Sequence, residues 1–146
     1  MGLVRFTYTT IIHESMDDVW TFFSTASNLQ RLTSFPKVTI LSNPETKAGN
    51  EIVMKLSFVG ATLNWVSSIE KVEQPFLFVD RGVKLPFPFK EWRHEHHFMS
   101  HGDETIMTDS IVCRASVPNF LVKLILLNMF KSREKKLTLF FAQPDQ

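Results

Sequence analysis

The sequence predicts an α+β fold in which a curved antiparallel sheet of six to seven strands wraps around a long C-terminal helix, with two short helices after strand one. Segments of alternating apolar and polar residues recur between turn residues through residues 37–114, which is typical of strands with one buried face. A helical pattern follows the first alternating segment, and a long apolar helical segment lies near the C-terminus. Because the apolar face of a sheet must be covered, we expect this last helix to lie in the concavity of the sheet.

The first strand is predicted over residues 3–12, because apolar and polar side chains alternate there. Ser15 then has the side chain of a helix N-cap, and it predicts a short helix that contains Trp20. A second short helix is predicted around residues 28–32. It ends before Pro36, since the residue that precedes a proline disfavours helical geometry.

Six further strands are predicted from the same alternation and from the turn residues between them. They cover residues 37–42, 51–59, 62–72, 76–81, 89–100 and 104–114. Met54 and Phe58 fall on the apolar face of the third strand, and Trp65 falls on that of the fourth. Residues 83–89 contain two prolines, which remove backbone donors, so we expect a loop there with exposed apolar side chains. The spacing predicts an antiparallel meander.

The C-terminal helix is predicted to run from Pro118 to about Phe140, because proline is favoured in a first helical turn. Its first half is apolar almost all round, so we expect contact on both sides, with the sheet and with loops.

The second half of this helix carries basic residues before an apolar end. They are Lys131, Arg133, Lys135 and Lys136. The simpler interpretation is a solvated face whose last apolar residues pack on the sheet. The alternative is a transient membrane contact through these cations, with Phe140 or Phe141 inserted.

Length, charge and cysteine content limit the functional classes. A chain of 146 residues has the length of one domain, so we expect residues 1–146 to share one core. Sixteen basic and fifteen acidic residues leave a net charge of +1, which argues against a nucleic-acid partner. Cys113 is the only cysteine and no signal-peptide pattern is evident, so we expect a cytoplasmic protein. The apolar stretch 117–130 is too short to cross a bilayer, and no stable membrane insertion is expected.

The apolar composition predicts an internal cavity. The sequence contains 14 Phe, six Met and three Trp, and one helix across a strongly curved sheet leaves space at its ends. Such a space suits a small hydrophobic ligand, and a fully packed core is the alternative. The residues predicted to contact the ligand are Met54, Phe58, Trp65, Trp92, His94, His96, Phe98, Met107, Asp109, Leu121 and Leu124.

Polar residues are predicted to meet at the hairpin of the last two strands. His94 and His96 lie on the inner face of one strand, and Asp109 lies on the inner face of the next. A hairpin loop at residues 101–102 places Asp109 opposite His94, and a loop at 102–103 places it opposite His96. Burying this carboxylate unpaired costs roughly 3 kcal/mol or more, so a partner is required.

Three interpretations of these residues follow. The first is structural, a satisfied polar pair inside the cavity wall. In the second, the pair hydrogen-bonds the head group of an apolar ligand or moves a proton, with one histidine as base and Asp109 orienting it. The third is a metal site of His94, His96 and Asp109. Because no fourth ligand is evident, we expect neither a metal nor a cofactor.

Two motifs resemble a known family. The W-x-H-x-H-x-F pattern at residues 92–98 and the T-x-M-x-D pattern at residues 105–109, with Trp20 and Trp65, resemble the SRPBCC superfamily. These START-related helix-grip proteins include birch-pollen-allergen-like carriers and polyketide cyclases. The closer resemblance is to small standalone bacterial members with the first motif. The resemblance implies the helix-grip fold, and it does not specify an activity because one scaffold hosts many functions.

The predicted function is a carrier or sensor of a small hydrophobic molecule such as a lipid, an isoprenoid or an aromatic polyketide. One alternative is a cyclase, dehydratase or hydrolase that uses the His-Asp pair for acid-base chemistry. Another is an interaction protein in which residues 85–89 and the terminal helix contact a partner or a second copy. We expect a monomer or a weak homodimer.

Overall fold

The computed structural model describes residues 2–33 and 36–142. The elements are β1 (Leu3–Ile12), α1 (Met16–Phe23), a 3-10 turn (Ala26–Asn28), α2 (Leu29–Leu32), β2 (Lys37–Ile40), β3 (Glu51–Phe58), β4 (Ala61–Glu73), β5 (Leu77–Lys84), β6 (Phe89–His101), β7 (Glu104–Ala115) and α3 (Asn119–Phe141). The order of strand, short helices, six strands and long helix is confirmed. Ser15 caps α1 as predicted, because its hydroxyl accepts a hydrogen bond from the Asp18 amide.

The strands form one seven-stranded sheet in the order β1-β7-β6-β5-β4-β3-β2. All neighbouring strands are antiparallel, so strands β2 to β7 form the predicted meander and β1 joins at the β7 edge. The sheet is curled and α3 covers part of its inner face, which confirms the α+β fold. Strand β5 extends to Lys84, past the predicted end at residue 81, and the loop that follows exposes 77% of the Phe87 side chain.

Three apolar clusters lie between the sheet and the helices. One packs α1 and the end of α3 on the sheet around Trp20, Phe98 and Met107. A second packs the first half of α3 on strands β1, β6 and β7. A third lies on strands β2 to β4 and includes Met54. Each fully buried large apolar side chain stabilises the fold by roughly 1.5–3 kcal/mol relative to an exposed one.

Helix α3 is buried along one side only, which corrects the prediction of contact on both sides. Its buried residues are Val122, Leu126, Phe130 and Leu137. Leu121 and Leu124, predicted to line the cavity, are 40% and 53% exposed. They lie on the opposite side of the helix because successive residues are about 100° apart. The exposed apolar face of α3 consists of Phe120, Leu121, Leu124, Ile125 and Met129.

The end of α3 packs on α1. The ring centroid of Phe22 lies 4.7 Å from that of Phe140 and 5.5 Å from that of Phe141. The two phenylalanines named for membrane insertion are therefore half-buried against α1, and a transient membrane contact stays a prediction. Within the two described ranges, no helix combines the length and apolar character that crossing a bilayer requires.

Candidate functional site

The β6–β7 hairpin fixes which histidine lies opposite Asp109. His101 pairs with Glu104 across a two-residue loop in which Gly102 has a φ of 61°. Glycine adopts this left-handed conformation without the steric cost that a β-carbon adds. In this register Asp109 lies opposite His96, so the second of the two predicted registers is the one observed.

Asp109 nevertheless makes its shorter contact with the other histidine. Its Oδ1 lies 2.7 Å from His94 Nε2 and 3.4 Å from His96 Nδ1. The two imidazole rings stack at 3.7 Å between centroids, with 24° between their planes. The predicted adjacency of carboxylate and imidazole is thus present, and it involves both histidines.

Arg133 is the principal cation at Asp109. Its guanidinium contacts Asp109 Oδ2 directly, and its Nη1 lies 3.3 Å from Oδ1. The guanidinium also lies 4.4 Å from the centroid of the Phe130 ring. The prediction that Arg133 lies on a solvated face is therefore wrong, since its side chain is only 12% exposed. Its spacing of three and seven residues from Phe130 and Leu126 puts it on the buried side of α3, which was the available signal.

Asp80 is a second carboxylate that the sequence analysis missed. It lies on β5 opposite His94. Its Oδ2 is 2.8 Å from His96 Nε2 and 4.0 Å from His94 Nδ1. Its position two residues after the inward-facing Phe78 was a weak signal, because Val79 between them is also buried. We name Asp80, His94, His96, Asp109 and Arg133 the polar cluster.

Charges within the polar cluster determine its protonation. Burial raises the pKa of Asp109, but the Arg133 charge and the two adjacent histidines outweigh it and hold this pKa well below its usual value. Burial likewise opposes ionisation of Asp80, whose pKa is still lowered by hydrogen bonding to His96. Burial and repulsion from His96 lower the pKa of His94. For His96, the hydrogen bond to Asp80 and the nearby Asp109 carboxylate overcome burial and raise the pKa.

Aromatic rings surround the two histidines. Phe78 stacks on His96 at 3.9 Å between ring centroids, and Trp92 and Phe130 lie edge-on to His94 at 6.0 Å and 5.8 Å. The His94 and His96 side chains are 10% exposed and Asp80 is 15% exposed, whereas Asp109 is fully buried. Of the two carboxylates of the polar cluster, only Asp80 is therefore in part accessible to solvent.

The other predicted ligand-contacting residues are divided among the clusters. Trp65 contacts Trp92, with ring centroids 5.1 Å apart, and Trp92 in turn contacts His94 of the polar cluster. Phe98 and Met107 pack with Trp20 near α1, although Met107 Sδ also lies 3.9 Å from Arg133 Nη2. Met54 belongs to the cluster on strands β2 to β4, and Phe58 is half-buried at the end of β3.

Two pockets lie near the C-terminal half of α3. The smaller has a volume of about 70 Å³ and is lined by Ile11, Ile12, His13, Leu137, Thr138, Phe141 and Ala142. The other is an open depression between β1 and α3, with Lys131, Glu134 and Lys135 among its lining residues. Neither pocket is lined by a residue that we predicted to contact the ligand.

Potential metal ligands differ from the predicted set. Among the described residues, Asp80, His94 and His96 each place one ligand atom within 4.8 Å of the others. Asp80 therefore replaces Asp109 as the carboxylate of the candidate metal-ligand set. Cys113 is fully buried and burial raises the pKa of its thiol, so it packs as a small side chain of low reactivity.

The fold is similar to those of START-superfamily and plant latex-like proteins. No family model and no curated protein matches the chain. A START superfamily protein from Mycobacterium smegmatis superposes with a TM-score of 0.75 at 12% identity, covering 94% of this chain and 95% of that one. Ginseng major latex-like protein 151 from Panax ginseng gives 0.70 at 14% identity, over 97% and 99%. The protein XoxI from Bacillus cereus gives 0.73 at 14%, over 94% and 95%.

The chain therefore has the helix-grip fold of START-superfamily proteins, and the resemblance is confirmed at the level of the fold. The assignment of this chain to the bacterial branch with the W-x-H-x-H-x-F motif stays a prediction.

Proposed function

We propose that this protein binds a small hydrophobic molecule that carries one polar group, as a carrier or sensor. The observation that carries the proposal is the polar cluster, in which His94 and His96 are buried among aromatic rings beside the 15% exposed side chain of Asp80. In this proposal the aromatic wall contacts the apolar part of the ligand and the polar cluster contacts its head group. Lipids, isoprenoids and aromatic polyketides are the classes proposed. A cytoplasmic location fits the single buried cysteine.

The polar cluster has hydrogen-bonding capacity to offer such a head group. His96 Nδ1 is buried without a hydrogen-bond partner among the described residues, and an unsatisfied buried group costs about 1–3 kcal/mol. A ligand hydroxyl that donates to His96 Nε2 leaves the ring proton on Nδ1, which faces Asp109 Oδ1 at 3.4 Å and then donates to it, and this relieves the cost.

Ligand entry requires space beside the polar cluster. Neither pocket described above is lined by these residues, so binding includes an opening of the structure there. Helix α3 lies mainly along β1, at one edge of the sheet. We propose that the ligand enters between α3 and the middle strands, beside Trp65 and Trp92.

Native mass spectrometry of protein purified from a cell extract tests the proposal, followed by displacement of a hydrophobic dye by the recovered ligand. Trp92→Ala is expected to weaken dye binding, since it removes the ring between Trp65 and His94. Leu124→Glu is the matched control, because Leu124 lies on the exposed face of α3, away from the polar cluster. This substitution affects only dye that binds to that exposed face. An absence of both bound ligand and displaceable dye would contradict the proposal.

Self-association is the second candidate, favoured by the exposed apolar face of α3. Its five large side chains are each at least 40% exposed, and a contiguous apolar surface of this kind is typical of interfaces. A net charge of +1 gives little repulsion between copies. Light scattering over a concentration series is expected to show a dimer that Leu124→Glu disrupts. A monomer at every concentration excludes this candidate.

Acid-base catalysis by a cyclase, dehydratase or hydrolase has weaker support. The hydrogen bond between His94 and Asp109 is present, but Arg133 already neutralises the Asp109 carboxylate. A neutralised carboxylate raises the basicity of its histidine less than a free one does. We therefore place binding ahead of catalysis.

A further inference from the structure

The two histidines of the polar cluster each present one ring nitrogen to each carboxylate. His94 Nδ1 and His96 Nε2 face Asp80, at 4.0 Å and 2.8 Å from its Oδ2. His94 Nε2 and His96 Nδ1 face Asp109, at 2.7 Å and 3.4 Å from its Oδ1. The cluster thus has two sides that use different nitrogens of the same rings.

We propose that the Asp80 side binds a divalent transition-metal ion through Asp80, His94 Nδ1 and His96 Nε2. One ligand atom from each residue already lies within 4.8 Å of the others, and binding an ion at about 2.0–2.2 Å requires the two stacked rings to turn until both nitrogens point at it. The ion occupies the side of the polar cluster where the head group of the proposed hydrophobic ligand contacts Asp80 and His96, so the two sites overlap there.

Asp109 is excluded as a direct ligand by Arg133. The guanidinium contacts both oxygens of this carboxylate, and a second cation there meets the positive charge of the first. Among the residues that the structure describes, Asp80 contacts no Lys or Arg: its partners there are the two histidines and the Trp92 indole. It is also the only carboxylate of the cluster with an exposed fraction, which gives an ion a path from solvent.

Metal binding on the Asp80 side fixes both imidazoles in the tautomer that suits Asp109. An ion on His94 Nδ1 and His96 Nε2 leaves the protons on His94 Nε2 and His96 Nδ1, and both then point to Asp109 Oδ1. The buried His96 Nδ1, which otherwise lacks a hydrogen-bond partner among the described residues, becomes a donor to Asp109. A carboxylate that orients metal-binding histidines in this way is common in metal sites.

The ligand types select the class of ion. Two imidazoles and one carboxylate suit Zn²⁺, Fe²⁺ or Co²⁺ better than Ca²⁺ or Mg²⁺, which prefer oxygen ligands. Three protein ligands leave at least one coordination position for water or another small ligand. Zn²⁺ and Co²⁺ are therefore the appropriate probes.

The test loads the full chain with Zn²⁺, desalts it and measures bound metal against protein. We expect about one Zn²⁺ per chain, and a Co²⁺ form with visible absorption bands. Asp80→Asn, His94→Gln and His96→Gln are each expected to weaken binding by at least roughly tenfold, and Asp109→Asn by roughly 10-fold to 100-fold. His97→Gln is the control, because His97 is an exposed neighbour that contacts Glu95.

Nitrogen NMR of the histidine rings gives an answer that does not depend on the variants folding. Zn²⁺ is expected to shift His94 Nδ1 and His96 Nε2, with His97 and His101 unchanged. Absence of stoichiometric binding, or shifts confined to the exposed histidines, overturns the proposal. Dye displacement is measured separately with a chelator present, so that failure of the metal site and failure of the hydrophobic site are distinguishable.

Discussion

Arg133 shows how one side chain determines the character of the site. Asp109 is fully buried, and a buried carboxylate requires compensation by charge or hydrogen bonds. Arg133 supplies both, from α3 to β7. It therefore joins the helix to the sheet at the polar cluster, as well as keeping Asp109 ionised.

Replacing Arg133 by methionine tests this role. Because Arg133→Met leaves a buried carboxylate without its cation, we expect the free energy of unfolding to fall by about 3–5 kcal/mol. Lys131→Met is the matched control on the exposed side of the same helix, with an expected change within about 0.5 kcal/mol. Urea denaturation followed by circular dichroism measures both. Equal effects of the two substitutions contradict the assigned role.

Cys113 offers a second test at the residue scale. Its thiol is fully buried and burial raises its pKa, so both access and thiolate content are low. We expect reaction with a thiol-specific reagent to be slow in the native protein and fast in denaturant. Rapid native labelling at neutral pH is incompatible with this packing.

At the scale of single elements, α3 has two unlike sides. One side carries Leu126 and Phe130 against the sheet, whereas the other exposes Leu124 and Ile125. Both sides of the first half of α3 are apolar, so a difference in polarity between them does not determine which side is buried. The contacts of the helix with the sheet determine it. The exposed side remains available for a second copy.

A pair of alanine substitutions distinguishes the two sides. Leu126→Ala is expected to lower the free energy of unfolding by about 2–5 kcal/mol, because it leaves a cavity in the core. Leu124→Ala removes the same atoms from an exposed position, with an expected change within about 0.5 kcal/mol for the monomer. Thermal and urea denaturation at low protein concentration give the comparison. A similar loss for both variants indicates that the Leu124 side is also covered.

On the scale of the whole molecule, the sheet order brings distant segments into one site. Strands β5, β6 and β7 are neighbours, so Asp80, the two histidines and Asp109 lie side by side. Helix α3 adds Arg133 from the end of the chain. Stability and any ligand or metal affinity are therefore coupled through the same residues.

The pH dependence of stability follows from the lowered carboxylate pKa values. The pKa of Asp109 in the folded protein lies well below the ordinary value of an aspartate, and that of Asp80 is also lowered. Their contribution to stability is present above the unfolded pKa, and it is lost as the pH falls through the folded values. We expect the free energy of unfolding to decrease below about pH 4, measured with a chelator present.

Asp109→Asn provides the control for this dependence, since the amide does not titrate. The variant is expected to be less stable at neutral pH, and its stability is expected to change less between neutral and acidic pH. Parallel curves for the two proteins contradict the assignment to Asp109.

The fold was predictable from the sequence because its signals are local. Alternation marks β1 and β6, Ser15 marks the start of α1, and the loop between β6 and β7 limits the hairpin to two registers. Each of these signals depends on residues near one another in the chain. The contact between Asp109 and the histidines was predictable for the same reason, since both registers of one hairpin produce it.

Only the tertiary structure decided the rest of the site. Asp80 reaches the histidines from β5 and Arg133 reaches Asp109 from α3, and no local pattern specifies these contacts. The first half of α3 is apolar all round, so its sequence does not indicate which side is buried. Packing on β1 and β7 selected the side of Val122 and Leu126, which turned Leu121 and Leu124 outward and Arg133 inward. The sequence by itself determined the elements and one hairpin contact, because those depend on neighbouring residues. The orientation of α3 determined the charge balance of the site, because it depends on how distant elements pack.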